Sequence, residues 1–426
     1  MRIVHLAWEY PPVMYGGLGR HVHALATAQA DLGHEVVVIT QAPEGAEEST
    51  QEAGAVRVIR AWVDPAEHDP GDLLTHVASM EAAFLDAGEH LLTTWQPEVI
   101  HAHDWMVSHA AVALRRSAGS PLAATIHATE AGRNRGWVTT GLSTRIHALE
   151  WWLANTADTV IACSQAMRGE VGQLFGRVEV EVIRNGIAAD GWQHPGESVR
   201  RMRQQHAPSG PLIVFTGRAE FEKGVQVLLG AMPGVRAVHA SARLVVAGRG
   251  SYLADLEALS QRLGVADATT FLGWVSERDL RALVAAADVA VVPSLYEPFG
   301  LVALEAAALG TPLIVSDTGG LAEFAASGAH ATTFRPGDTG GLAEAILADL
   351  ADPRSARDRA QRASRALAQG YDWTLIARDT VAAYDRAVAA LAAPPFDPRW
   401  DQAAARHALE PPQLEGPLGR LLDLGQ

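Results

Sequence analysis

Val289-Ala-Val-Val-Pro293 runs within a few residues into Glu297-Pro-Phe-Gly-Leu-Val-Ala-Leu-Glu305, and the reading of that stretch decides the fold. The apolar run predicts a buried strand, the middle a tight loop, and the second half the first turns of a helix, with Pro298 suited to the first helical position. Phe299, Gly300 and Leu301 would then present N–H groups at a helix start, which is where anions bind. Glu297 and Glu305 bracket that point. A carboxylate beside a phosphate makes sense when it is aimed at hydroxyls, so the pair suggests a ligand carrying both, as a nucleotide sugar does. Solvated glutamates are the ordinary alternative. The apolar neighbours Leu301, Val302, Leu304 and Ala306–Ala308 weigh against that alternative for Glu305.

The same strand, loop and helix order recurs outward in both directions. Leu212-Ile-Val-Phe-Thr216, Leu244-Val-Val-Ala-Gly248, Thr270-Phe-Leu-Gly-Trp-Val275 and Leu313-Ile-Val-Ser316 read as strands of the second half. In the first half the strands are Ile3-Val-His-Leu-Ala7, Glu35-Val-Val-Val-Ile-Thr40, Val99-Ile-His-Ala-His103, Ala123-Ala-Thr-Ile126 and Thr159-Val-Ile-Ala-Cys-Ser164. Unalternating β-branched runs separated by helices (His21 to Leu32, Asp72 to Trp95, Leu142 to Thr156) predict an α/β protein with parallel sheets covered on both faces. At 426 residues the chain exceeds one ordinary core. Two Rossmann-like domains are expected, 1–193 and 194–372, with the segment 373–426 returning to the first. Trp192 to Gly210 reads as a linker, residues 43–54 as an acidic surface loop, and the tail with Pro394, Pro395, Pro398, Pro411 and Pro412 as irregular.

With 34 Lys and Arg against 49 Asp and Glu, the net charge is −15, which argues against general affinity for nucleic acid or anionic membrane. Anionic ligands must be met by a few placed cations. A single cysteine, Cys163, excludes an internal disulfide framework. No apolar run reaches membrane-spanning length and no leader is read ahead of the first strand, so a soluble cytoplasmic protein is expected.

Ligands of open parallel sheets gather at the carboxyl ends of the strands. There Arg218 and Lys223 lie in a glycine-flanked loop suited to a diphosphate, one offering a planar fork and the other a compact charge. Gly273 to Val275 offer backbone groups to a base. Tyr15-Gly-Gly-Leu-Gly19 would let backbone approach a ligand, with a phosphate at the following helix start. Its spacing is wrong for a dinucleotide fingerprint, and Thr40-Gln41 lacks the ribose-binding acid, which demotes a redox enzyme. His101 and His103 share a face of one strand. A satisfied sheet histidine or a ligand contact is preferred to a metal site, because no further ligand of the usual spacing follows. Asp104 and His127 end two successive strands in polar groups.

Four separated elements, Gly16-Gly-Leu-Gly19, His101-Ala-His-Asp-Trp105, Gly217-Arg218 with Lys223-Gly224, and Glu297 with Glu305, resemble the retaining glycosyltransferases of family 4. The resemblance implies a GT-B fold, two Rossmann-like domains facing a central cleft that closes on the donor. Trp8-Glu-Tyr-Pro-Pro12 and Ile126-His-Ala-Thr-Glu-Ala-Gly-Arg133 look like actinobacterial α-(1→4)-glucosyltransferases of the methylglucose lipopolysaccharide and glycogen type. The Lys-Thr-Gly-Gly loop of bacterial glycogen synthases is Met14-Tyr15-Gly16-Gly17 here, so ADP, UDP and GDP donors stay open. By this resemblance, Arg218 and Lys223 hold the donor diphosphate. Glu305 binds ribose, and Glu297 with the backbone of Phe299, Gly300 and Leu301 holds sugar hydroxyls and phosphate. His127 contacts the donor sugar near the reacting carbon, Asp104 lies on the acceptor side, and Gly16, Gly17 and Val275 complete the donor site. Neither metal nor cofactor is implied. A GDP-mannose-dependent mannosyltransferase, a sugar-nucleotide epimerase and a non-catalytic glucan-binding protein are the rival readings, and the oligomeric state is left open.

Overall fold

The structure, a computed structural model, describes residues 1–63, 72–192, 196–328 and 330–391. The proline-rich tail lies outside them. Two compact units emerge: Met1–Arg184 with the helix that begins at Trp373, and Asn185–Asp372.

The first unit opens with β1 (Arg2–Leu6), α1 (Gly17–Asp31), β2 (Glu35–Gln41), β3 (Ser49–Ala53), β4 (Val56–Ala61) and α2 (Leu73–Leu92). It continues with β5 (Val99–His103), α3 (Ser108–Ala118), β6 (Leu122–Ile126), α4 (Glu130–Arg133), α5 (Gly141–Thr156), β7 (Thr159–Ala162), α6 (Gln165–Phe175) and β8 (Glu181–Val182). The strands form one sheet in the order β3-β4-β2-β1-β5-β6-β7-β8, parallel except for β3. Central strands are buried on both faces, which is why their sequences show no alternation.

Three expectations need correction here. The segment read as loop 43–54 holds the edge strand β3, whose polar, mostly exposed residues carry no core signal; its antiparallel pairing with β4 sets Glu52 opposite Arg57, with an ion pair of 3.5 Å. Leu73, expected on the apolar face of α2, is 38% exposed, whereas Val77, Met80 and Phe84 are buried. Asp72 caps that helix by accepting from the Leu74 and Thr75 N–H groups, which fixes its first residue at Leu73. Helix α1 begins four residues before His21, directly out of the glycine-rich loop.

The second unit contains α7 (Gly196–His206), β9 (Leu212–Thr216), α8 (Val225–Val238), β10 (Arg243–Ala247), α9 (Leu253–Arg262), β11 (Thr269–Gly273), α10 (Glu277–Ala286) and β12 (Val289–Val292). Then follow α11 (Leu301–Ala308), β13 (Leu313–Ser316), α12 (Gly319–Ala326), β14 (Thr332–Phe334), α13 (Thr339–Ala351) and α14 (Pro353–Gly370). Six parallel strands lie in the order β11-β10-β9-β12-β13-β14. The expected linker is instead helix α7 of this unit, packed on α10. Its apolar stripe is too thin to read from sequence, with Ser198 and Met202 its buried residues and most of the others charged or polar. Arg203 anchors it to Asp288 at 2.6 Å, and the same carboxylate accepts from the Leu212 N–H at the start of β9. The unit also begins earlier than residue 194, because the Ile187 N–H donates to the Tyr371 carbonyl and the Arg281 guanidinium lies over the Trp192 ring. In α14 Arg354, Arg357, Arg362 and Arg365 are exposed beside a buried stripe of Ala356, Ala360, Ala363 and Leu367, as expected for a solvated helix, while Arg359 pairs with the buried Asp349 of α13.

Last comes α15 (Trp373–Leu391), which packs on α1. Ile376, Ala377, Ala383 and Tyr384 share the core of the first unit with Val22, Leu25 and Ala26. Among the described residues no helix is long and apolar enough to cross a membrane.

Candidate active site

Open α/β sheets bind ligands where the strand order reverses, because the loops leaving the two strands there diverge to opposite faces. In the second unit the reversal falls between β9 and β12, and their following loops carry Arg218, Lys223, Glu297 and Gly300. Backbone bonds lace these loops together: the Leu295 and Tyr296 N–H groups donate to the Glu222 carbonyl, and the Gly320 N–H to that of Glu297. Lys223 Nζ donates to Glu297 Oε2 at 2.9 Å, and Ser294 Oγ donates to the same oxygen at 3.1 Å. Both side chains are largely shielded, 19% and 13% exposed, so the pair is stronger than a surface salt bridge. Arg218 is 45% exposed and reaches Glu222 at 3.1 Å. Glu305 is buried in α11, as its apolar neighbours suggested.

Pro298 is not the first helical residue. The helix starts at Leu301, because Gly300 adopts φ +100° and turns the chain immediately before it. Phe299 is buried, with its ring 6.2 Å from that of Tyr371. Val275 lies two residues past the end of β11.

Gly224 ends the Lys223 turn at φ +73°, and a Cβ there would sit 1.8 Å from the Pro293 carbonyl oxygen. Gly224→Ala is therefore expected to cost more than about 2 kcal/mol, from the left-handed backbone and the overlap together. A chemical denaturation midpoint unchanged in this variant would show that the loop 293–294 gives way freely.

In the first unit the strand order reverses between β1 and β5, which places the loop after Leu6 and the residue after His103 at the corresponding position. Gly16 is the cap residue and Gly17 the first residue of α1, so the two glycines read as loop lie at the helix start itself. At this helix start a carboxylate of the chain takes N–H groups: Glu9 Oε2 accepts from those of Tyr15 at 2.6 Å and Gly16 at 2.9 Å. Burial raises the Glu9 carboxyl, while those N–H groups and that of Gly19 pull it down.

Asp104 holds φ 62° and ψ 177°, a conformation nearly confined to glycine. Its cost of about 1–3 kcal/mol marks a position where the side chain is wanted more than the backbone geometry. Oδ1 accepts from the His127 N–H at 2.7 Å. Burial pushes the carboxyl up to about 6, against the pull of Arg133 and of the His127 and Ala128 N–H groups. An acid whose native pKa exceeds its unfolded value near 3.8 contributes stability at low pH and loses it as pH rises through about 6. Asp104→Asn is thus expected to stabilise the first unit at pH 8 by up to roughly 3 kcal/mol and to do little at pH 4. Melting curves at the two pH values check this, and an equal shift at both would refute it.

Behind Asp104 the strand ends hold a group of histidines. His5 Nε2 bonds Gln29 Oε1 at 2.7 Å, His5 Nδ1 bonds His103 Nε2 at 3.0 Å, and His103 Nδ1 bonds His127 Nε2 at 3.2 Å. His101 bonds the Tyr384 hydroxyl at 2.6 Å and Thr125 at 2.7 Å. The triads His5, His101, His103 and His21, His103, His127 bring ring nitrogens within 4.8 Å of one another, but both nitrogens of His5, His101 and His103 have protein partners. Burial holds all four linked imidazoles neutral, with His5 lowered to about 4 and His127 to about 3.

Residues 15–190 match the Glycosyltransferase Family 4 profile, and residues 199–366 match Glycosyl transferases group 1. Over 398 residues the sequence is 44% identical to the glycogen synthase of Mycobacterium tuberculosis, covering 90% of this chain and 94% of that one. The chain belongs to glycosyltransferase family 4. It is also 30% identical to the alpha-maltose-1-phosphate synthase of the same organism, over 91% of this chain and 100% of that one. Sucrose-phosphate synthase from Thermosynechococcus elongatus superposes with a TM-score of 0.79 at 25% identity, covering 91% and 99% of the two chains. The family 4 chain has the GT-B fold expected from its motifs, and it is a glycosyltransferase.

Within this family 4 enzyme, sequence reading had brought Lys223 and Glu297 to one site but not to one ion pair. Ser294, Glu9, Gln29, His5 and Tyr384 were missed. Glu9 stands inside the quoted Trp8-Glu-Tyr-Pro-Pro12, three residues from Pro12, and a carboxylate preceding a glycine-rich helix start is the signal that could have found it. Tyr384 is 283 residues from His101 and carries no local signal.

Proposed function

We propose that this glycosyltransferase moves glucose from ADP- or UDP-glucose onto an α-(1→4)-glucan or methylglucose-polysaccharide acceptor, with retention at the anomeric carbon. The observation that carries the reading is the 44% identity to a glycogen synthase across nearly the whole of both chains. The second unit supports it. Lys223, held in place by Glu297, and the exposed fork of Arg218 are the cations for a diphosphate, and Glu305 serves the ribose. Glu297, freed from full neutralising duty by an incoming diphosphate, turns to sugar hydroxyls, with the backbone of Phe299 to Leu301 beside it. His127 serves the transferred sugar and Asp104 the acceptor. A cytoplasmic setting suits such donors.

Retention without a placed nucleophile points to internal return. The bond from C1 to the diphosphate oxygen breaks, the acceptor oxygen bonds C1 on the same face, and the departing phosphate takes the acceptor's proton. Catalysis then rests on stabilising charge on the diphosphate and on the oxocarbenium-like sugar.

Likeness to alpha-maltose-1-phosphate synthase favours a second reading, in which glucose 1-phosphate is the acceptor. Nucleotide release should be measured with ADP-, UDP- and GDP-glucose and GDP-mannose, each with maltooligosaccharides or glucose 1-phosphate. Release from ADP- or UDP-glucose with the oligosaccharide is the expected result. Release only with glucose 1-phosphate supports the second reading. Turnover of GDP-mannose alone, donor interconversion without acceptor, or glucan binding without release would each overturn the proposal in favour of a rival.

A further inference from the structure

The buried bonds around His103 form one continuous chain with a single direction. A Gln side-chain oxygen can only accept, so His5 must carry its proton on Nε2. Neutral imidazole has one donor and one acceptor, so His5 Nδ1 accepts and His103 Nε2 donates. By the same step His103 Nδ1 accepts from His127 Nε2–H. The Gln29 amide nitrogen donates to the Tyr384 hydroxyl at 3.3 Å. That hydroxyl then donates to His101 Nδ1, and His101 Nε2–H donates to Thr125 Oγ1. Every bond from His127 to Thr125 points the same way, and Gln29 is the one member that is not free to exchange donor for acceptor without turning over its amide. His5, His101, His103, Gln29 and Tyr384 are fully buried, so water does not compete for these groups.

We propose that Gln29 is a positioning residue that acts through His5 and His103 to fix His127 as the Nε2–H tautomer, leaving Nδ1 as a hydrogen-bond acceptor for a hydroxyl of the transferred sugar. The last clause rests on the function proposed for His127; the tautomer assignment does not. A reversed amide would invert the whole chain and make His127 Nδ1 a donor. The sense of one buried amide therefore sets what the sugar meets.

Long-range proton–nitrogen correlation spectra of the full chain labelled with 15N-histidine test the assignment without any variant. His5, His103 and His127 are expected as Nε2–H tautomers at pH 7.5; a proton on Nδ1 of His127 overturns the proposal. In Gln29→Met the acceptor is lost, both tautomers of His127 should be seen, and kcat should fall about tenfold with acceptor KM little changed. Gln29→Glu restores an oxygen for His5 and should recover the Nε2–H form. An unaltered His127 tautomer in Gln29→Met also overturns the proposal. Should His127→Ala retain full transfer activity while the spectra match, the sugar-contact reading fails and the tautomer relay stands.

Discussion

Lys223→Ala is expected to lower kcat by about three orders of magnitude, roughly 4 kcal/mol of transition-state stabilisation, while acceptor KM stays within about twofold. Charge accumulates on the diphosphate as the bond to C1 breaks, and a shielded ammonium gains far more from that change than one in open water. The structure adds a reason for the size. Lys223 is already aimed by Glu297 and Ser294, so little reorganisation is spent when the leaving group develops charge. Glu297→Gln separates this role from that of the carboxylate. It leaves Lys223 with a weaker neutral partner and is expected to cost less than removal of the cation. Single-turnover measurements with saturating donor check both, and near-normal turnover in Lys223→Ala would sink the diphosphate assignment.

Acid is expected to destabilise the first unit steeply below pH 6.5. His5, His101, His103 and His127 are held below their ordinary pKa by burial, so the unfolded chain binds protons that the native chain refuses. For a group with a depressed native pKa the stability is fully present above the unfolded value near 6.5 and is lost as pH falls toward the native one, near 4 for His5 and near 3 for His127. Glu9, Asp104 and Glu150 act oppositely, since burial raises their carboxyls and the native state takes up protons first. The four histidines outnumber the three carboxyls, so unfolding takes up protons on balance, and each net proton costs about 1.4 kcal/mol of stability per pH unit. Denaturant midpoints at pH 7.5, 6.0 and 5.0, followed through tryptophans of the first unit, measure it. A flat profile would mean that the buried imidazoles are protonated in the native state or lie open to water.

The sequence was most legible where burial on both faces left no choice of residue type. Leu212–Thr216 and Leu313–Ser316 begin and end as read, because short apolar runs rich in β-branched residues are bounded by Pro on one side and by Gly or Asp on the other. Polar elements stayed hidden: Ser49–Ala53 has no inward face to advertise, and Gly196–His206 is anchored by an arginine rather than by an apolar stripe. The same division runs through the site. Burial of Glu305 followed from its neighbours on the helix, whereas the pairing of Lys223 with Glu297, 74 residues apart, depends on two loops meeting in three dimensions. Pro298 misplaced the helix start because Gly300, two residues later, has the stronger say through its left-handed backbone.

Helix α15 has a consequence for how the chain is made. Residues 185–372 are synthesised whole before Trp373 leaves the ribosome, so the second unit can fold during translation from contiguous chain. The first unit cannot finish then. Its α1 face waits for Ile376, Ala377, Ala383 and Tyr384, and the His101 ring waits for the tyrosine hydroxyl, until the end of α15 has emerged. A nascent chain that has emerged only as far as Asp372 would carry a completed downstream unit and an upstream one with the apolar face of α1 uncovered by α15. The first part made is thus the last to be completed.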